Sequence, residues 1–305
     1  MSEDALDWLM EGDPAIRWQT MRDLLDAPES EYQAERAKTA TEGWGSKILD
    51  YQDPNGRWRK GRWTDSPWIV LQLMDIGIPA ETASLKNAFA FHADRLMPPG
   101  EVTLDKILKS RMDLCHLGFW LRIGAYFSPE DERLQQIIEV ILELTMPDGA
   151  WNCQIRNKPH THHSSFHTTF NVLEGLKQAH IAGLINNEKF FEAEARAMEF
   201  MLDHQMYRSD KTGEVIAERF THLTYPSAWH YRVIRGLDYI RSTPFITDSR
   251  LDDPIRMLES QRGKDGKWIT EKRIPGDQYF NMEAWGKPSR WVTLKALRIL
   301  RARTQ

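Results

Sequence analysis

Long hydrophobic runs, cysteine and an excess of charge of one sign are what this sequence most lacks. No stretch of about 18 consecutive apolar residues occurs, so a membrane-spanning helix is not expected. The 2 cysteines stand in unrelated contexts, Cys115 in "DLCHLG" and Cys153 in "GAWNCQ". That argues against a disulfide-stapled scaffold and fits a reducing cytoplasm. A formal net charge of −4, with 40 basic and 44 acidic residues interleaved, gives no footprint for nucleic acid or an anionic membrane. The acidic start "MSEDALDWLMEGD" has no basic segment ahead of an apolar one, so no secretory signal is expected. With 305 residues, 41% of them hydrophobic, the chain can still bury a sizeable core.

What is present is helical periodicity. Six apolar segments begin at Asp13, Asp65, Arg111, His163, Tyr225 and Lys287, each with a polar or Pro-containing start. Asp13, Asp65 and Ser227 are expected N-caps, and Pro14 and Pro67 suit a first helical turn. Between them lie charged amphipathic segments at Glu31–Tyr51, Ala80–Met97, Pro129–Met146, Asn186–Met206 and Asp248–Arg262. The marker residues Trp18, Trp68, Cys115, His167, Trp229 and Trp291 are 50, 47, 52, 62 and 62 positions apart. That is a repeat of helical hairpins, none of which buries its apolar face alone. The expected fold is all-α: about six hairpins closed into an (α/α)6 toroid, one domain over residues 1–305, apolar helices inside and charged helices outside. An open solenoid is the alternative, but the inner set is too apolar for an exposed concave face.

"YQDPNGRW" (Tyr51 to Trp58) matches the Q-x-x-x-G-x-W turn motif of squalene cyclases, and "TMPDGAW" (Thr145 to Trp151) and "SQRGKDGKW" (Ser260 to Trp268) are degenerate copies. The chain therefore resembles the α/α-toroid superfamily of terpene (squalene) cyclases and protein prenyltransferase β-subunits. The turns speak for the fold, since a fold hosts many functions. The sequence lacks the D-x-D-D acid motif of class II cyclases, "LDDP" at Leu251 to Pro254 missing its first Asp, and lacks a D-D-x-x-D diphosphate motif. The prenyltransferase branch is the closer one. Those β-subunits carry zinc on an Asp-x-Cys pair at one inner helix start and a His at the next. Asp113-Leu114-Cys115 and His167, the latter between Lys158-Pro159 and Leu173-Glu174-Gly175-Leu176, are similar to these segments. By the resemblance the zinc ligands are Asp113, Cys115 and His167.

Asp and Cys two residues apart point about 200° from each other on a continuous helix, so they share a metal only at a helix start. Three mixed ligands leave a fourth zinc position open, as in catalytic sites. Cys153, His116 and His163, with His160 and His162 nearby, could alter that set. Cys115, Cys153 and a His would resemble lanthionine cyclases, toroids with zinc–thiolate chemistry, although "LCHLG" has the motif order reversed and Leu117 in place of Gly. The resemblance further suggests Lys109 and Arg111 as phosphate-binding cations, with His230 and Arg232 at the same end. Trp68, Phe119, Trp120, Phe166, Trp229 and Trp291 are candidates to line an aromatic cavity for an isoprenoid chain or carbocation. Any one of these residues is equally readable as a cap, a buried thiol or plain core. The expected function is a cytoplasmic zinc enzyme acting on an isoprenoid or other hydrophobic substrate. The alternative is a non-catalytic toroid that binds a hydrophobic ligand or a protein. No protein partner is named by the sequence.

Overall fold

The computed structural model describes residues 3–54, 56–58, 66–98, 100, 102–109, 113–156, 158, 160–227, 229–271 and 279–304. Its helices are α1 (Glu3–Met10), α2 (Pro14–Asp23), α3 (Glu29–Ala37), α4 (Gly43–Leu49), α5 (Ser66–Ile76), α6 (Ala83–Leu96) and α7 (Leu104–Lys109), then α8 (Leu114–Phe127), α9 (Arg133–Glu143), α10 (Phe166–Ile181), α11 (Asn187–Asp203), α12 (Val233–Ile240), α13 (Asp252–Ser260) and α14 (Arg290–Thr304). Among the described residues there is no strand, only two isolated antiparallel bridges, Arg208 with Val215 and Ile269 with Pro288. No helix among them is long and apolar enough to cross a membrane.

The six apolar segments become α2, α5, α8, α10, α12 and α14, and the charged segments supply the helices between them. Asp13 caps α2, accepting from Ala15 N–H at 2.9 Å with Pro14 as the first helical residue. Asp65 lies outside the described residues. Two boundaries differ from expectation. The segment Glu31–Tyr51 is broken into α3 and α4, because Gly43 takes φ +66° and Trp44 N–H is drawn to the free Asp13 carboxylate oxygen at 2.7 Å. Ser227 is not the cap of α12, which begins at Val233. Tyr231 is instead fully buried beside Phe220, its hydroxyl donating to Met206 O at 2.7 Å, and this anchor precedes the helix.

The three tryptophan turns share one geometry. In each, a backbone bond closes the loop: Asp53 N–H to Arg57 O, Met146 N–H to Ala150 O and Gly263 N–H to Lys267 O, at 2.8, 2.9 and 2.8 Å. Each contains a glycine at positive φ, Gly56, Gly149 or Gly266. At Gly149 the requirement is double, since φ is +94° and a Cβ would come within 2.8 Å of Arg196 O. Each tryptophan is then buried, and its indole N–H donates to a carbonyl ten residues earlier: Trp58 to Ile48 O, Trp151 to Ile141 O and Trp268 to Leu258 O, at 2.8, 2.8 and 2.7 Å. Those carbonyls sit in the last turns of α4, α9 and α13, where a helix leaves its acceptors unpaired. Trp151 and Trp268 also donate their backbone N–H to Thr169 and Thr293, in the first turns of α10 and α14.

The chain packs as two compact units, each discontinuous in sequence. The first comprises Met1–Gln52, Trp58–Pro79 and His204–Gln305, and the second Asp53–Arg57 and Ala80–Asp203. In the first, α14 packs on α2 and α12, and chain start meets chain end: Arg290 lies over the Trp8 ring and donates to Trp8 O at 2.9 Å. Inside this unit Arg298, almost fully buried, donates to Asp23 Oδ2 at 3.0 Å and Gln19 Oε1 at 2.9 Å and grips Asp238 with both arms. Arg241 and Lys295 also reach Asp238, at 3.0 and 3.5 Å. Burial alone would raise the Asp238 carboxyl, but Arg298, then Lys295 and Arg241, hold it far below the carboxylate range. In the second unit α8 packs on α6, α9 and α10.

Two expectations follow. Trp151→Ala should cost about 3 kcal/mol through the cavity it leaves, read as a shift in the denaturant midpoint; a midpoint like the wild type's would show the wedge to be dispensable. Because the folded pKa of Asp238 is depressed, its stabilisation is present above its unfolded value near 3.9 and fades as pH falls below that. Asp238→Asn should therefore lose about 3–5 kcal/mol at pH 7 and show a shallower acid limb in thermal melts between pH 5 and 2.

Candidate functional site: a thiol pair at a helix start

The first turn of α8 is built around sulfur. Asp113 occupies the N-cap position, with extended backbone and no side-chain capping bond to the helix. The role of acceptor passes to Cys153: its Sγ lies 3.3 Å from Cys115 N, the second N–H of α8. The two sulfurs are 2.9 Å apart. Thr168, in the first turn of α10, donates its hydroxyl to Cys153 Sγ at 3.3 Å, lies 3.5 Å from Cys115 Sγ, and accepts from Cys153 N–H at 3.2 Å. Both thiols are half-buried.

This meeting depends on how closely α8 and α10 approach. Cys115, Gly118 and Arg122 recur at i, i+3 and i+7 along one face of α8, and Thr168, Asn171 and Gly175 do so on α10. A Cβ on Gly118 would fall 2.4 Å from Asn171 O, so only glycine permits the crossing at this separation. One turn further, Arg122 pairs with Glu174 at 2.7 Å. One turn back, the seam opens onto the sulfurs. The pair titrates as a unit. The hydrogen bond from Cys115, aided by Thr168 and the Cys115 N–H, lowers the Cys153 thiol despite its burial. The hydrogen bond to Cys153, then burial, raises Cys115. A helix N-terminus favours the same placement of negative charge.

His167 is the second residue of α10, half-buried, and its carbonyl accepts from Asn171 Nδ2 at 2.7 Å. His116 sits edge-on to Phe119, with ring centroids 6.0 Å apart. His163 is exposed, its carbonyl taking a bond from Asn152. Among the described residues no group of three or more His, Cys, Asp or Glu side chains converges as a metal site does. Lys109 forms an exposed pair with Asp105 at 2.7 Å, and Arg111 lies outside the described residues. Trp120 is 2% exposed and stacks on His92, with Phe89 also against it; Phe166 packs on Phe200. Trp291 is 1% exposed and stacks on Tyr225, while Trp68 and Trp229 are half-buried.

The first unit holds a basic cluster of its own. His230 stacks on Trp229, and burial, then Arg232, Arg219 and Arg235, push its pKa down to about 4. Arg232 is 7% exposed; among the described residues it donates only to Arg219 O, its Nε has no partner, and no carboxylate forms an ion pair with it, Glu271 acting only through its charge. Sequence reasoning named His230 and Arg232 but missed Arg219 and Arg235. It also missed Thr168, adjacent to the marker His167, and Glu283, whose carboxylate caps α14. Glu283 accepts from Arg290 N–H at 2.6 Å and from Ser289, and burial pushes its pKa up. With Tyr225, Thr270 and Trp285 it lines a small pocket. No local pattern marks Glu283, because it caps from a loop seven residues before the helix.

Comparisons with family models, with curated proteins and with solved structures find no match to this chain.

The low His230 value has a consequence for stability. The unfolded chain takes up a proton near pH 6.5 but the folded one only near 4, so this group withdraws stability as pH falls between those values. His230→Gln should flatten the decline in melting temperature from pH 6.5 to 4. An unchanged decline would place the responsible group elsewhere.

Proposed function

We propose that the chain is a cytoplasmic enzyme of the α/α-toroid group, acting on an isoprenoid or other hydrophobic substrate through thiol-centred chemistry at the start of α8. The thrice-repeated tryptophan turn and the alternation of apolar and charged helices support six hairpins closed into an (α/α)6 ring. The observation that carries the functional reading is Cys115 in the first turn of α8 with a second thiol against it. Zinc is the metal such donors suit, since thiolates are soft ligands. Asp113, Cys115 and His167 are the residues that would hold it. As they stand the donors fit it incompletely. Two thiolates on one tetrahedral zinc lie about 3.8 Å apart, given Zn–S near 2.3 Å, whereas these sulfurs are 2.9 Å apart and no third ligand converges on them among the described residues. No step is therefore assigned to a metal. A second reading is zinc–thiolate chemistry like that of lanthionine cyclases, in which Cys115 and Cys153 would both be ligands once their sulfurs stood about 3.8 Å apart.

Arg232, in the first unit, is by itself a candidate to bind an anionic group. A buried guanidinium that has no carboxylate ion-pair partner among the described residues carries an electrostatic cost that a phosphate relieves by charge-assisted hydrogen bonds. The tight packing of Trp120, Phe166 and Trp291 favours the non-catalytic alternative, because those rings are core and not cavity wall.

Elemental analysis of the purified protein decides the metal: near-stoichiometric zinc, lowered by Cys115→Ala, is expected, and its lack in protein purified without chelator rules the zinc reading out. Inorganic diphosphate titrated calorimetrically should bind, and Arg232→Gln should weaken it about tenfold or more. No binding by the wild type removes the anionic substrate.

A further inference from the structure

We propose that Cys115 and Cys153 form a reversible dithiol–disulfide couple, oxidised by exchange with a low-molecular-weight disulfide of the glutathione kind. Three observations carry this. The sulfurs stand 2.9 Å apart, less than 1 Å beyond the covalent S–S length of about 2.05 Å. They are too close to be co-ligands of one tetrahedral metal, so the arrangement suits bond formation between them better than sharing an ion. Both residues are half-buried, so neither is sealed within the core. Finally, the supporting groups are fixed: Thr168 touches both sulfurs, and Cys115 N–H aims at Cys153. The elements that hold them have separate origins in the chain, 38 residues apart, so the pairing is a product of the fold and not of a local motif.

Cys153 is the attacking sulfur, since its partners are the N–H and hydroxyl donors that stabilise a thiolate. Its thiolate, its proton having passed to solvent, attacks one sulfur of the small disulfide. The S–S bond breaks, and the first small thiolate leaves and is protonated. Cys115 then releases its proton to solvent, and its sulfur attacks Cys153, expelling the second small thiolate. Two protein thiols lose two electrons, and one small disulfide becomes two thiols. The new bond ties the single helical turn at Cys153–Arg156 to the start of α8 and withdraws both thiols from the chemistry proposed above.

The experiment uses the full chain, treated with chelator so that metal content does not enter, and equilibrated over a series of glutathione to glutathione-disulfide ratios. Intact mass and peptide mapping are then read. The expected result is the loss of two hydrogens with no retained glutathione, one linked peptide pair containing Cys115 and Cys153, and full reversal by dithiothreitol. Cys115→Ser should trap a glutathione adduct on Cys153 that the wild type does not keep, and Cys153→Ser should abolish the linked pair. A wild type that keeps both free thiols at the most oxidising ratio overturns the proposal. So does one that accumulates glutathione separately on each cysteine. Because the decisive readings are made on metal-free wild-type protein, they stand whether or not zinc is bound by the untreated chain.

Discussion

The indole N–H of a buried tryptophan, bonded to an unpaired carbonyl at the end of the preceding helix, is the contact on which this fold depends. A helix end leaves acceptors that must be paired or wetted, and a buried indole leaves a donor with the same demand. Joining them satisfies both and fixes the angle at which the chain departs from the helix. At Trp151 and Trp268 the same residue's backbone then ties to a threonine in the next helix, so a single residue links the two helices of a hairpin. The glycine ahead of each tryptophan is the cost of that geometry, since the turn demands positive φ.

The thiol pair is a consequence of the same arrangement. Trp151 is wedged under α9 and tied to α10, and Cys153 follows it by two residues, so the turn delivers the thiol to the starts of α8 and α10. Gly118 lets the two helices approach until a sulfur can serve as the acceptor that an N-cap side chain ordinarily provides. The result is a half-buried dithiol whose protons are unequally held, a property of the crossing and not of either cysteine alone.

Charge is handled differently in the other unit. Buried Arg298 and the partly buried Asp23 and Asp238 are mutually satisfied, with Arg241 and Lys295 in support, which is how a core tolerates ions. Arg232, Arg219 and Arg235 gather instead around a neutral histidine, with Glu271 only at a distance. The first cluster reads as architecture. The second crowds positive charge around His230 and lowers its pKa.

The helices and their order were legible because periodicity is a local property: apolar residues at helical spacing, a Pro or Asp at the start and a Gly–x–Trp turn at the end state the element without its neighbours. The break at Gly43 and the late start of α12 were not, because both are set by distant partners, Asp13 for one and Met206 for the other. At the site, the sequence singled out Cys115 and the helix start it occupies. It ranked His167 above Cys153 as the neighbour, since His167 shares the repeat's marker position and Cys153 lies in a connecting loop. Only the tertiary structure shows that Cys153 meets Cys115. Which side chain faces Cys115 depends on the rotation of α10 about its axis and on where the Trp151 wedge drops the loop, and neither is encoded within any stretch short enough to show a pattern.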